Sequence, residues 1–147
     1  MRMRSVLPAA ALATLLVLVP ACGSDDDSSS DETTTTAAAA GPDLSAVSWT
    51  DETGKTDVAL IARDNTFVAQ YVEVSPGTTV TWTNRGRTEH NVLPAEDGAF
   101  EGIDTAELEP GEEASITFDE PGDYPYYCSL HGTKTKGMVG AVRVVEG

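Results

Sequence analysis

The chemistry open to this 147-residue chain rests on a handful of side chains. It has two histidines, His90 and His131, and two cysteines, of which only Cys128 lies in the strongly patterned part of the sequence. Its three methionines are Met1, Met3 and Met138. Cys128, His131 and Met138 share one eleven-residue stretch, Cys128-Ser-Leu-His131-Gly-Thr-Lys-Thr-Lys-Gly-Met138, and His90 lies upstream of it. A soft thiolate, two imidazoles and a weak axial thioether form a ligand set that suits copper in an electron-transfer site. Singly, each residue has a plainer reading: a small buried hydrophobe for Cys128, core filler for Met138, a satisfied core or surface residue for either histidine. Their joint placement points to a metal. A Cys-His nucleophile needs a base and an orienter without metal, and a structural zinc site rarely includes methionine. A multicopper catalytic centre needs further histidines, and the sequence has none left. The reading is therefore not an enzyme.

The elements that must position these residues are strands. Val72 and Val74 share one face, as do Val80 and Trp82, then Ile116 and Phe118, while Thr79, Thr81, Thr83, Ser115 and Thr117 take the other. Met138, Gly140, Val142 and Val144 continue the alternation, with Arg143 out of phase. Pro-Gly pairs at Pro76, Pro110 and Pro121 supply turns. Seven to eight short strands in about a hundred residues predict an all-β, two-sheet sandwich of Greek-key type. With Cys128 alone in that region, no disulfide holds it.

Upstream, Arg2 and Arg4 precede an uncharged apolar run, Ser5 to Pro20, too short and too early for a spanning helix, so residues 1–21 read as a secretory signal. Val19-Pro20-Ala21-Cys22 resembles the lipobox of bacterial lipoproteins. Either Cys22 is lipidated and anchors the chain to the membrane, or the chain is secreted with Cys22 a free thiol. Both readings place it outside the cytoplasm. Residues 22–43, rich in Ser, Asp, Thr and Ala, read as a disordered tether, and residues 44–147 as one domain. The chain carries a formal charge of −15, and residues 44–147 hold 7 basic and 18 acidic side chains, or −11. That excludes a nucleic-acid partner needing a basic face.

The domain resembles the cupredoxins, in particular the plastocyanin-like small blue copper proteins. The resemblance rests on Asn65-Thr-Phe67, Val74-Ser-Pro-Gly77, Thr79-Val-Thr-Trp-Thr-Asn84, His90-Asn91-Val92, Gly122-Asp-Tyr-Pro-Tyr-Tyr-Cys128-Ser-Leu-His131 and Gly137-Met138-Val139-Gly140. It implies a cupredoxin-like sandwich holding one type 1 copper ion, with His90, Cys128 and His131 as equatorial ligands and Met138 as the axial one. Asn91 would brace the ligand loops near the sulfur, with Ser129 beside it. An apolar patch of Leu130 and Pro94 around the His131 edge would be one electron route, and Tyr127 another.

The function implied is one-electron transport between a redox donor and a redox acceptor, by a monomer. Its alternative is copper storage, delivery or buffering with the same ligands. One departure stands out: six residues separate His131 from Met138, where plastocyanin-like sites commonly have four, so the axial donor is either Met138 or a backbone carbonyl. Lys134 and Lys136 either steer an anionic partner or keep a long loop soluble. The acidic run from Glu107 to Asp123 either recruits a basic redox protein or is a solvated face.

Overall fold

A computed structural model describes residues 41–147, and over these the alternating pattern resolves into two mixed sheets. The signal segment, Cys22 and the tether up to residue 40 lie outside the described residues. The strands are β1 (Thr50–Asp51), β2 (Asp57–Arg63), β3 (Thr66–Val68), β4 (Tyr71–Val74), β5 (Thr78–Asn84), β6 (Leu93–Pro94), β7 (Glu113–Phe118), β8 (Gly122–Thr133) and β9 (Lys136–Val144). One sheet runs β1-β4-β9-β8-β6 and the other β3-β2-β5-β7. Pairs β1/β4, β2/β5 and β4/β9 are parallel, so the chain crosses between sheets instead of simply meandering. Among the described residues one 3-10 turn, Thr105–Glu107, interrupts the strands, with the Asp104 N–H donating to Glu107 Oε2. Among the described residues no helix is long and apolar enough to cross a membrane.

The period of two fixes what lies between the sheets. Leu60, Val72, Val74, Val80, Trp82 and Val142 are fully buried, and burying each such side chain stabilises the fold by roughly 1.5–3 kcal/mol. Trp82 is the largest of them. Its ring meets Tyr126 edge-on at 5.3 Å and Phe118 at 6.5 Å, and Phe67 meets Tyr126 at 4.9 Å, so one aromatic cluster spans both sheets. On the wet face of β5 and β7, hydroxyls pair across the strands: Thr79 with Thr117 at 2.9 Å and Thr81 with Ser115 at 2.8 Å.

The last strand departs from simple alternation, because Val139 and Ala141 are buried along with Met138, Gly140 and Val142. β9 is the middle strand of its sheet, and its outer face is covered. Pro125, Ala141 and Tyr71 stand in one row across β8, β9 and β4. Gly41 lies against Pro125, and Trp49 packs on Tyr71 at 5.8 Å, so the segment from Gly41 to Trp49 is anchored at both ends of this row. Arg143 secures it, with its guanidinium 4.1 Å from the Trp49 ring centre and two bonds to Asp123, at 2.6 and 3.1 Å.

Candidate metal centre

The pairing of β8 with β9 is broken at the place where the chemistry gathers. Tyr127 stands opposite Val139, and pairing resumes at Gly132 opposite Gly137, so four residues of β8, Cys128 to His131, face only Met138. A bulge of this kind bends one strand and re-aims its side chains. Cys128 and Met138 point into the core, 0 % and 1 % exposed. Ser129 and Leu130 face outward, and His131 is half-buried at the rim.

The six residues between His131 and Met138 form no loose loop. Thr133 pairs with Lys136, leaving Lys134 and Thr135 as a two-residue turn, so the extra length extends the β8–β9 hairpin. Two glycines permit it. Gly137 has φ +87°, and a β-carbon there would stand 2.7 Å from the His131 carbonyl oxygen. A β-carbon on Gly132 would meet the Lys136 oxygen and Met138 nitrogen at 2.7 Å each. We expect Gly137→Ala to cost about 1–3 kcal/mol, the range for a residue forced into a sparsely populated conformation, and to disturb His131. Thermal unfolding of the metal-free protein checks the first effect and the copper spectrum the second.

His90 arrives from the other sheet, on the segment after β5. It is fully buried, and its backbone N–H donates to the Leu108 oxygen at 3.2 Å. Its Nδ1 lies 3.7 Å from Cys128 Sγ, and His131 Nδ1 lies 3.5 Å from the same sulfur. The three donor atoms are all within 4.8 Å of one another. One small ion held at about 2.0–2.3 Å by nitrogen and sulfur sets its ligands roughly 3.5–3.8 Å apart. The two sulfur–nitrogen spacings match that arrangement, the widest spacing in the set reaches 4.8 Å, and a thiol with two imidazoles is the donor chemistry copper takes.

Asn91, next to His90, ties the two segments together. Its Nδ2 donates to Ser129 Oγ at 2.9 Å, and its Oδ1 accepts the Ser129 N–H at 2.8 Å. The residue after Cys128 is thereby fixed to the residue after His90. Tyr127 lies half-buried on the outer face, paired with Leu93. Beside His131 is a shallow recess of about 430 Å³ lined by Arg87, Thr88, Glu89, Pro110, Leu130 and His131. Leu130 is 48 % exposed there. The proline at this mouth is Pro110; Pro94 instead sits in β6 opposite Tyr126. Lys134 is ion-paired with Asp97 at 2.6 Å, which pins the hairpin tip to the loop after β6.

Burial, helped by the charge of His131 and opposed by Asp64, holds the His90 imidazolium below the ordinary histidine range. Burial thus favours the neutral ring, the form in which an imidazole binds a metal. In the metal-free protein the unfolded chain binds a proton on this group near pH 6.5 while the folded chain still resists it. Stability is thus full above about pH 6.5 and declines as pH falls toward the lower folded value. Thermal melts from pH 8 to 5 will show this decline, and His90→Gln will flatten it.

In the sequence Asn84 stands only as the last residue of the Thr79–Asn84 segment with no role of its own, whereas in the structure it is 1 % exposed and both its amide atoms are bonded. Only its buried environment distinguishes it.

Residues 54–145 match the family described as copper binding proteins, plastocyanin/azurin family. The plastocyanin of Vicia faba is 38 % identical over 87 residues, an alignment covering 53 % of this chain and 86 % of that protein. The chloroplastic plastocyanin of Pisum sativum is 37 % identical over the same share of this chain, which spans 51 % of its length. Among solved structures, a purple cupredoxin from Nitrosopumilus maritimus superimposes with a TM-score of 0.51 at 28 % identity, over 60 % of this chain and 100 % of its own. A reduced amicyanin variant gives 0.53 at 26 % identity, over 64 % and 87 %. A copper-containing nitrite reductase from Thermus scotoductus gives 0.51 at 29 % identity, over 62 % of this chain but only 23 % of its own.

Proposed function

We propose that this chain, which belongs to the plastocyanin/azurin family of copper-binding proteins, is an extracytoplasmic one-electron carrier. His90, Cys128 and His131, together with Met138, would hold the copper. The observation that carries the reading is the convergence of a buried thiol and two imidazoles from two segments within 4.8 Å. Bound copper supplies a couple that cycles between Cu(I) and Cu(II). Cys128 and His90 hold the buried side of the site, away from water, and His131 forms its half-buried rim. The Asn91–Ser129 pair holds the two ligand segments at one spacing, so little rearrangement accompanies a change of oxidation state. His131, with Leu130 and Pro110 around it, is the face through which the electron passes, and Tyr127 offers a second route. Donor and acceptor are redox proteins that dock there.

A catalytic role is disfavoured by the same inventory. Both histidines of the sequence belong to this one site, and the chain spans less than a quarter of the nitrite reductase it resembles. The location rests on the signal-like residues 1–21, with Cys22 as the lipid anchor and the segment after it as the tether. Radiolabelled palmitate incorporation, lost in Cys22→Ser, checks that anchor.

A carrier keeps its metal through turnover, whereas a delivery or buffering protein gives it up. Copper-loaded protein cycled repeatedly with a mild reductant and oxidant, beside a Cu(I) chelator, is expected to retain its copper. Stoichiometric loss to the chelator in the first cycle would replace the carrier reading with copper handling. His131→Ala is expected to leave a folded domain with a solvent-open, spectrally altered site and slowed electron exchange. An unchanged spectrum would remove His131 from the ligands.

A further inference from the structure

We infer that Asn84 presets the position of His90 before metal arrives, an inference that rests on His90 being a copper ligand. A histidine that binds a metal through one nitrogen almost always fixes its ring by donating the other N–H to an acceptor. His90 Nε2 is buried and has no hydrogen-bond partner. The ring must therefore be held by what surrounds it, and the surroundings lead to one amide.

Asn84 closes β5 and uses every polar atom it has. Its backbone N–H donates to the Glu112 oxygen and its own carbonyl accepts from Gly111, both at 2.9 Å. Its Nδ2 donates to the Thr88 and Leu108 oxygens, both at 2.8 Å, and its Oδ1 accepts the Gly86 N–H at 2.8 Å. These side-chain bonds grip His90 from two directions. The Leu108 oxygen that receives the amide also receives the His90 backbone N–H, at 3.2 Å. Gly86 lies close to both amide and ring: a β-carbon there would stand 2.9 Å from the Asp64 nitrogen, 3.1 Å from His90 Nε2 and 3.2 Å from Asn84 Oδ1. One side chain thus sets the backbone of His90 through Leu108 and seats its ring through Gly86. Two donors and one acceptor are needed. Leucine keeps the volume but none of the bonds, and aspartate keeps the acceptor while turning a carboxylate oxygen toward two carbonyls.

Asn84→Leu and Asn84→Asp in the full chain, loaded with Cu(II), test this against Thr78→Val. Thr78 closes the opposite end of β5, equally buried, with Oγ1 donating to the Lys55 oxygen at 2.8 Å, so its loss weakens the same strand without touching His90. Thr78→Val is expected to keep the wild-type visible band, copper hyperfine splitting and reduction potential. The Asn84 variants are expected to shift all three and to release Cu(I) to a chelator about 10–100-fold faster. A folded Asn84→Leu with wild-type spectrum, potential and release rate overturns the inference.

Should both Asn84 variants fail to fold, nuclear magnetic resonance of the wild-type imidazoles still decides. A preset His90 shows one ring orientation in the metal-free protein, little changed on Cu(I) loading, whereas rotamer averaging of His90 before loading overturns the inference. Failure of the underlying reading looks different: His90→Gly would then leave the copper spectrum of the protein as it was.

Discussion

Cys128→Ser will bind Cu(II) without the intense visible band, because the band requires a thiolate sulfur on the metal. No other thiol stands in the described domain. The remaining donors, His90 and His131, still face the same space, so weak copper binding persists at an affinity reduced by more than the roughly 10–100-fold typical of losing an outer hydrogen-bond partner. The substitution also puts a hydroxyl where a fully buried sulfur sat, in the core cluster that holds Tyr126 and Met138 as well. An unsatisfied buried hydroxyl costs about 1–3 kcal/mol, so the metal-free variant will melt several degrees lower. An absorption titration with Cu(II) and a thermal scan read both effects. A blue Cys128→Ser protein would place the colour on some other group.

Trp82→Ala carries the largest expected loss of stability. Truncating a buried aromatic costs about 3–5 kcal/mol, against a total of about 5–15 kcal/mol for a domain of this kind. Trp82 on β5 bridges the sheets through Tyr126 on β8 and packs on Phe118 of β7 within its own sheet. Tyr126 lies two residues before Cys128 on the same inward face, so the cavity also loosens the wall behind the sulfur. Urea unfolding of the metal-free protein measures the cost, and a loss below about 1 kcal/mol would mean that the aromatic cluster does not join the sheets as described. The copper spectrum of the variant, recorded where it is still folded, is expected to broaden before it disappears.

What could be read from the letters follows from how each element is buried. β4, β5 and β7 were legible because each presents one covered and one wetter face, and period two then separates Val80 and Trp82 from Thr79 and Thr81 without ambiguity. β9 was only half legible. Its outer face is flanked by the segment from Gly41 to Trp49, which has no periodicity, so nothing in the sequence announces that Val139 and Ala141 are buried too.

Cys128, His131 and Met138 could be grouped because they are near in sequence. The means of grouping them could not, since a bulge placing four residues opposite one is a matter of register. The longer segment after His131 read as a long loop, yet Thr133 and Lys136 continue the ladder and the glycines take the strain. Which proline flanks His131 was likewise hidden. Pro94 follows His90 closely in sequence, but β6 carries it along Tyr126, while Pro110 reaches the rim after Leu108 has been fixed to His90. Asn84 shows the same limit, for a buried asparagine and a turn asparagine are the same letter.

The most direct test is to load the full chain with one equivalent of Cu(II), record its visible absorption and paramagnetic resonance, and then add a mild reductant. A single copper bound by Cys128, His90 and His131 will give an intense thiolate-to-copper band with narrow hyperfine splitting, bleached by the reductant and restored on reoxidation. A colourless complex with the wide splitting of ordinary nitrogen and oxygen ligation would contradict a one-electron copper carrier.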